Sequence, residues 1–346
     1  MRNPIPDAMR RLDDLQRSRR APAFVFGVVK KYGDDQAGQL AALLTYYGFL
    51  ALFPLLLVFV TVLGIIAGHD PGFAANLRRS TLTQFPIIGG DLTKNIHGLH
   101  TNSPFALVVG IVGLLWGALG STQIGQYAMA QLWNVPMVDR PGFVPRMLRS
   151  LLLLVTMGAF LVVSTALTGV ATFSGPSGIV RAGSEVLSVI VDVGLFTAAF
   201  RILTPKEVAL RELLPGALAG GIGWAVLQNA GTYLVGHELK HMSGVYGLFA
   251  IVLGLLWWMY LTAQVVLYVA EINVVKSRRL WPRSLTQPPL TEADEKLYAA
   301  YAHEQRRRPE QHVSVGFAPS ASDPDKPVGR EHDGAEELRP AAPRQR

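Results

Sequence analysis

The hydrophobic residues of this chain neither recur at the three- and four-residue spacing of a soluble amphipathic helix nor alternate as in a half-buried strand. They run on. From Ala41 to Ala67 the chain reads AALLTYYGFLALFPLLLVFVTVLGIIA without a single charge, too long and too apolar for a core helix and long enough to cross a bilayer. Five further apolar stretches follow, at about 105–127, 149–172, 183–203, 213–236 and 246–275. The pattern predicts an all-α integral membrane protein, a bundle of six transmembrane helices over residues 40–276. Residues 1–39 form a basic segment ahead of it, and residues 277–346 form a tail.

Two stretches carry features that a uniform apolar helix lacks. Pro54 sits in the middle of the first, where a proline removes a backbone hydrogen bond and predicts a kink that neighbouring helices must cover. The fifth contains Gly216 and Gly220 as a GxxxG pair, with Gly221 and Gly223 beside them; small residues at that spacing let helix backbones approach closely in lipid. Pro215 is placed near the first turn of this span, where its missing N–H has no helical partner to lose. Pro54 and the Gly216–Gly220 pair are therefore candidate hinge and packing positions, the first span moving against the fifth.

Composition sharpens the picture. Half of the 346 residues are hydrophobic and only 16% are charged, the balance of a polytopic membrane protein. The apolar run at 41–67 follows a long basic leader and exceeds a signal-peptide core, so it is read as a retained anchor. The absence of cysteine removes disulfides, thiolate metal sites and cysteine nucleophiles from consideration. The net charge of +7 invites a nucleic-acid reading, but topology accounts for it better. With the N-terminus inside, the inner segments hold eighteen Lys or Arg and the outer loops five, so both termini are expected in the cytoplasm. Residues 1–39 are expected to lie at the membrane surface.

Polar residues inside the apolar stretches are the candidate functional groups, since an ionisable side chain at mid-bilayer is costly. Asp192 falls at the centre of the fourth span. Tyr46, Tyr47, Gln123, Arg201, Gln264 and Glu271 all fall in the cytoplasmic third and are expected to form a polar vestibule; interface tyrosines and snorkelling charges are the bland alternative. Trp257 and Trp258 lie deep in the sixth span and are expected to pack against other helices. The string His237-Glu238-Leu239-Lys240-His241 matches H-E-x-x-H, which on one helix binds zinc through both histidines with the glutamate as general base. Lys240 within the motif, and its position at the end of a span, argue for a hydrated loop instead. No metal and no cofactor are assigned. In the tail, Thr291 and Asp294 resemble a capping box, and EADEKLYAAYAHEQRRR predicts one short surface helix over about 292–308, with disorder beyond it.

The block AALLTYYGFLALFPLLLVFV resembles the hallmark of the YihY/BrkB family of bacterial inner-membrane proteins, a tyrosine pair followed by a Leu-Phe-Pro-Leu run. A second block, from FRILTPKEVALRELLPGALAGGIGW to VYGLFAIVLGLLWWMYLTAQVVLYVAEINVV, is similar to the family's tyrosine-glycine entry and its acid-asparagine exit, here Glu271 and Asn273. The resemblance covers roughly residues 25–276; Gly48-Phe49 departs from the usual pattern. It implies a multi-pass inner-membrane protein concerned with the envelope. A carrier or flippase-like transporter of a lipid or other amphiphile is the expectation, with membrane lipids as partners, homo-oligomers left open, and no nucleic acid. Ribonuclease activity, an older label of the family, is not expected. A membrane zinc metalloprotease using His237, Glu238 and His241 and a non-catalytic scaffold are the competing classes.

Overall fold

The protein is described by a computed structural model over residues 13–69, 104–173, 178–204, 208–237, 239–287 and 290–317. The described residues build α-helices joined by turns: α1 Arg20–Asp34, α2 Ala37–His69, α3 Pro104–Leu132, α4 Phe143–Phe173, α5 Gly178–Leu203, α6 Leu210–His237, α7 Leu239–Arg278 and α8 Glu292–Glu304. A helical turn over 13–18 precedes α1. Each of α2 to α7 contains one of the predicted apolar stretches and extends beyond it at one end or both. Val108–Leu132, Phe143–Phe160, Val186–Leu203 and Val252–Arg278 are long and apolar enough to cross a membrane, and Ala37–Leu52 adds a shorter apolar helix. Trp116, Val155 and Ile190 turn outward on their helices, 78%, 70% and 60% exposed, the inside-out arrangement of a protein whose solvent is lipid.

Small residues set the helix contacts. A Cβ on Gly113 would meet the ring of Pro54 at 3.1 Å, one on Gly117 the backbone of Ala51 at 2.9 Å, and one on Gly120 the Tyr47 ring at 2.6 Å. These glycines step along one face of α3 and seat α2 against it in antiparallel fashion. The partner of Pro54 among the described residues is therefore α3, not the expected Gly-rich fifth span. α6 packs instead between α5 and α7: Gly220 meets Phe196 and Gly221 meets Val193 on α5, whereas Gly216, Gly223 and Gly231 meet Val269, Val265 and Trp258 on α7. Gly216 and Gly220 thus serve two different neighbours and are not one dimer-type groove. Trp258 is buried over Gly231, while Trp257 is half exposed.

Pro215 also lies deeper than expected. α6 starts at Leu210, so the proline sits in the helix interior, where its ring displaces the carbonyl four residues back. The N–H of the next residue, Gly216, donates instead to Asn273 Oδ1 of α7 at 2.6 Å. Only glycine fits there, since a Cβ would come within 2.3 Å of the Val269 carbonyl.

The tail helix ends at Glu304, four residues short of the predicted 308, and it is not a surface helix: Ala293, Leu297, Ala299 and Ala300 are buried on it. The capping box is formed, Thr291 accepting from the Asp294 N–H while the Asp294 carboxylate accepts from the Thr291 N–H. Residues 305–317 continue without helix.

Candidate functional site

One end of the bundle gathers the starts of α2, α4 and α6 and the ends of α3, α5 and α7. Gln126 near the end of α3 donates to the Arg146 carbonyl and to Ser150 of α4, Arg201 at the end of α5 donates to the Val208 carbonyl before α6, and Ser277 of α7 donates to Glu212 of α6. α1 crosses this end and buries Ala23, Gly27, Val28, Lys31 and Tyr32. The Gly27 position lies against the Leu280 carbonyl and Trp281, which follow α7. Three non-glycine residues adopt left-handed backbone at this same end: Gln36 between α1 and α2, Asn134 after α3 and Arg279 after α7. Such conformations cost on the order of 1 kcal/mol each and persist only where surrounding contacts hold them.

At the centre of this layer stand Lys31, Asp35 and Glu271, all essentially without solvent contact. The Lys31 ammonium pairs with Asp35, one helical turn on, and donates to the Leu132 carbonyl at 2.8 Å. It also lies 3.3 Å from Glu271 Oε2 of α7. Asp35 is held further, Tyr301 of α8 donating to its Oδ1 at 2.6 Å and Gln131 to its backbone carbonyl at 2.8 Å. Glu271 has none of this support, because neither of its carboxylate oxygens receives a hydrogen bond. The Tyr32 ring stacks on Tyr268 at 3.8 Å. Burial, with Tyr268, Tyr260 and Glu271 beside it, raises the Tyr32 hydroxyl to about 12; Gln264 lies near it, but the hydroxyl makes no hydrogen bond. Burial, followed by the Asp35 charge, raises that of Tyr301. At the rim, Arg278 lies over the Trp133 ring and reaches Asn134, while Asn134 and Arg140 both donate to Glu304 of α8. Burial keeps the Glu304 carboxyl above its ordinary range despite these two donors.

A second buried network joins the tail to the N-terminal segment. Asp294 accepts from Arg283 Nε at 2.8 Å, the Ser284 N–H at 3.0 Å, the Thr291 hydroxyl at 2.7 Å and Lys30 at 3.2 Å. Arg283 donates a second time to Asp34 at 2.7 Å. Asp13 accepts from the Leu285 N–H at 2.9 Å and from Gln16. Burial opposes ionisation of Asp294 and Asp13, yet the donors around each win and hold both carboxyls below their ordinary range.

The polar residues expected in one vestibule are dispersed. Glu271 is sealed in the layer and Gln264 lies beside Tyr32, but Tyr46 is 57% exposed, Tyr47 is packed on Gly120, and Arg201 is exposed at the end of α5. Gln123 is partly buried on α3. Asp192 is partly buried on α5 and has no hydrogen-bond or ion-pair partner among the described residues. The H-E-x-x-H string falls where α6 ends at His237 and α7 begins at Leu239, at the reversal between two antiparallel helices; Glu238 lies outside the described residues. Among the described residues no group of three or more His, Asp and Glu is placed to hold a metal. Lys31 and Asp35 escape a reading by spans because they precede the first one. The i, i+4 spacing of a lysine and an acid just before a span is the signal that points to them.

The family model described as Virulence factor BrkB matches residues 28–293, from the middle of α1 to the first turn of α8. The chain belongs to the BrkB family. Among curated proteins it is similar to a UPF0761 membrane protein of Pseudomonas paraeruginosa, 28% identical over 75% of this chain and 64% of the relative. A UPF0761 membrane protein of Pseudomonas aeruginosa is 28% identical over 73% of this chain and 62% of its own length. The chain thus spans somewhat under two thirds of these relatives. A Bacillus subtilis protein named putative ribonuclease-like protein YfkH is 24% identical over 74% of this chain and 96% of its own. No solved structure matches. The BrkB match encloses Lys31, Asp35, Glu271, Asn273 and Arg283, the centre of the buried layer, and stops before Asp294, Tyr301 and Glu304 of α8.

Proposed function

We propose that this BrkB-family chain is a six-span inner-membrane protein with both termini in the cytoplasm, and that it carries a lipid or other amphiphile of the envelope. The Lys31–Asp35–Glu271 layer is the lock on its cytoplasmic side. One observation carries the proposal: Glu271, fully buried on the last long helix, faces a lysine on a segment outside the bundle and accepts no hydrogen bond. A carboxylate left so unsupported is expensive as structure, and its cost is understood if the contact must break during a working cycle. One ammonium bridges two carboxylates there, so a small displacement of α1 frees Glu271 of α7 from the corner formed by Asp35 and the end of α3. The excess of Lys and Arg at this end favours its cytoplasmic placement. Asp192, near the middle of the apolar stretch of α5 and without a partner among the described residues, is the second group proposed to act in transport.

The test uses the full chain in proteoliposomes containing a fluorescently tagged phospholipid, with an impermeant reductant outside. Protein-containing vesicles are expected to expose their inner-leaflet tag faster than protein-free ones, and Glu271→Gln and Asp192→Asn to slow that exposure several-fold. Equal rates with and without protein overturn the carrier. Unchanged transport and pH dependence in Asp192→Asn remove that residue from it. The scaffold alternative requires a deletion beginning after residue 317, because α8 is part of the packed layer. Metal analysis of the purified protein tests the zinc protease, which a stoichiometric, tightly held zinc would revive.

A further inference from the structure

α1 lies outside the apolar stretches, yet between its charged ends, Arg20 and Asp34, its exposed face is apolar. Pro22, Val25, Val29 and Gly33 follow one another at helical spacing and are exposed, Val25 by 60% and Val29 by 50%, with Phe26 partly exposed beside them. No polar side chain interrupts this stripe. The opposite face is already used, with Ala23, Gly27, Val28, Lys31 and Tyr32 buried. The chain leaves α1 by only Asp35 and Gln36 before α2 begins, so α1 sits at the depth where α2 enters the bilayer. Charge is confined to the ends and flank: Arg19 and Arg20 are exposed at the start of α1, Arg17 is engaged by Asp13, Lys30 is turned to Ser284 and Asp294, and the exposed Asp34 at the end of α1 pairs with Arg283.

We infer that α1 is an in-plane helix of the membrane surface, its Pro22, Val25 and Val29 face seated in the acyl chains beneath anionic headgroups that pair with Arg19 and Arg20. An apolar face flanked by arginines is the arrangement that binds such a boundary. Past the exposed polar corner of Asp34, Gln36 and Gln39, the apolar exposure resumes on Ala42, Leu43 and Tyr46 of α2, all outward-facing, so the two helices present apolar faces on either side of a polar turn. The occupant is the leaflet in which the protein already sits. Since Lys31 projects from the other side of the same helix into Glu271, the state of the leaflet bears directly on the buried layer. The inference needs only that α2 enter a bilayer, not that the protein carry anything.

The cysteine-free chain makes the test direct. Val25→Cys and Val29→Cys, each labelled with a polarity-sensitive fluorophore, are placed as full-length protein in nanodiscs of phosphatidylcholine with or without phosphatidylglycerol, and a label at exposed residue 310 serves as the aqueous reference. Positions 25 and 29 are expected to be several-fold less accessible to iodide than 310, and quenched by a lipid-borne nitroxide. That quenching should deepen with phosphatidylglycerol and lose the dependence in Arg19→Gln/Arg20→Gln. Iodide access equal to that at 310 overturns the inference. So does shielding that vanishes when each nanodisc holds a single copy, which assigns the face to a second chain; indifference to phosphatidylglycerol overturns the arginine half. Folding of each labelled protein is read from its thermal transition.

Discussion

Two buried charge networks occupy the same end of this protein and are built on opposite plans. Around Asp294 nearly every valence is used: backbone and hydroxyl donors, an arginine and a lysine converge on one carboxylate, although one Arg283 nitrogen, Nη2, goes without a partner. Around Glu271 a fully buried carboxylate has an ion pair with Lys31 and no hydrogen bond. Burying a charge is repaid only when hydrogen bonds replace its lost water. The first network meets that condition and fastens the tail to the N-terminal segment. The second does not, and it joins α1 and the start of α2 to α7. How completely a buried charge is satisfied, rather than how deeply it is buried, separates the two networks, and under the proposed function it separates a fastening from a moving part.

The comparison can be broken from either side. Arg283→Ala leaves Asp294 buried without its main cation and should lower stability by about 3–5 kcal/mol, seen as an earlier thermal transition in detergent and faster proteolysis of the tail. Acid should attack the same fastening. Asp294 and Asp13 have folded values below their ordinary 3.8, so their contribution is fully present above that pH and is lost as pH falls through the depressed folded values. Fluorescence transfer between labels on the 13–18 turn and α8 should hold from neutral pH to about 4 and fall below it; loss already at pH 6 would contradict this. Asn273→Ala strips the Gly216 N–H of its acceptor and should cost about 1–3 kcal/mol. Glu271→Gln forfeits no hydrogen bond and leaves Lys31 its one-to-one pair with Asp35, so its stability change should stay within about 1 kcal/mol. A loss as large as that of Arg283→Ala would show that the two networks are alike after all.

The long helices were legible because a bilayer demands uninterrupted apolar length, and α8 was legible because Thr291 and Asp294 announce a helix start. What could not be read was partnership. Pro54 signals a kink but not that Gly113 of α3 receives it, since any small residue on any helix would do as well. Gly216 and Gly220 look like one motif because they share a helix face, yet each answers to a different neighbour. Lys31 counts as one of eight basic residues in a leader until α7 brings Glu271 to it across 240 positions. The tail helix reads as a surface element because its small alanines carry little hydropathic signal, although Ala293, Ala299 and Ala300 are what let it pack closely.

The joint of Pro215, Gly216 and Asn273 has a bearing beyond this chain. The donor freed beside the proline is satisfied by a side chain of another helix, and glycine is required because that side chain and the Val269 carbonyl occupy the space of a Cβ. Three sequence positions on two helices therefore answer a single requirement. A descendant that replaced Asn273 by an apolar residue would lose the reason for Gly216 as well, and one that replaced Pro215 by alanine could restore the helix's own bond and release both. Change at these positions should come as a coordinated exchange rather than in independent steps, like parts cut to fit one another.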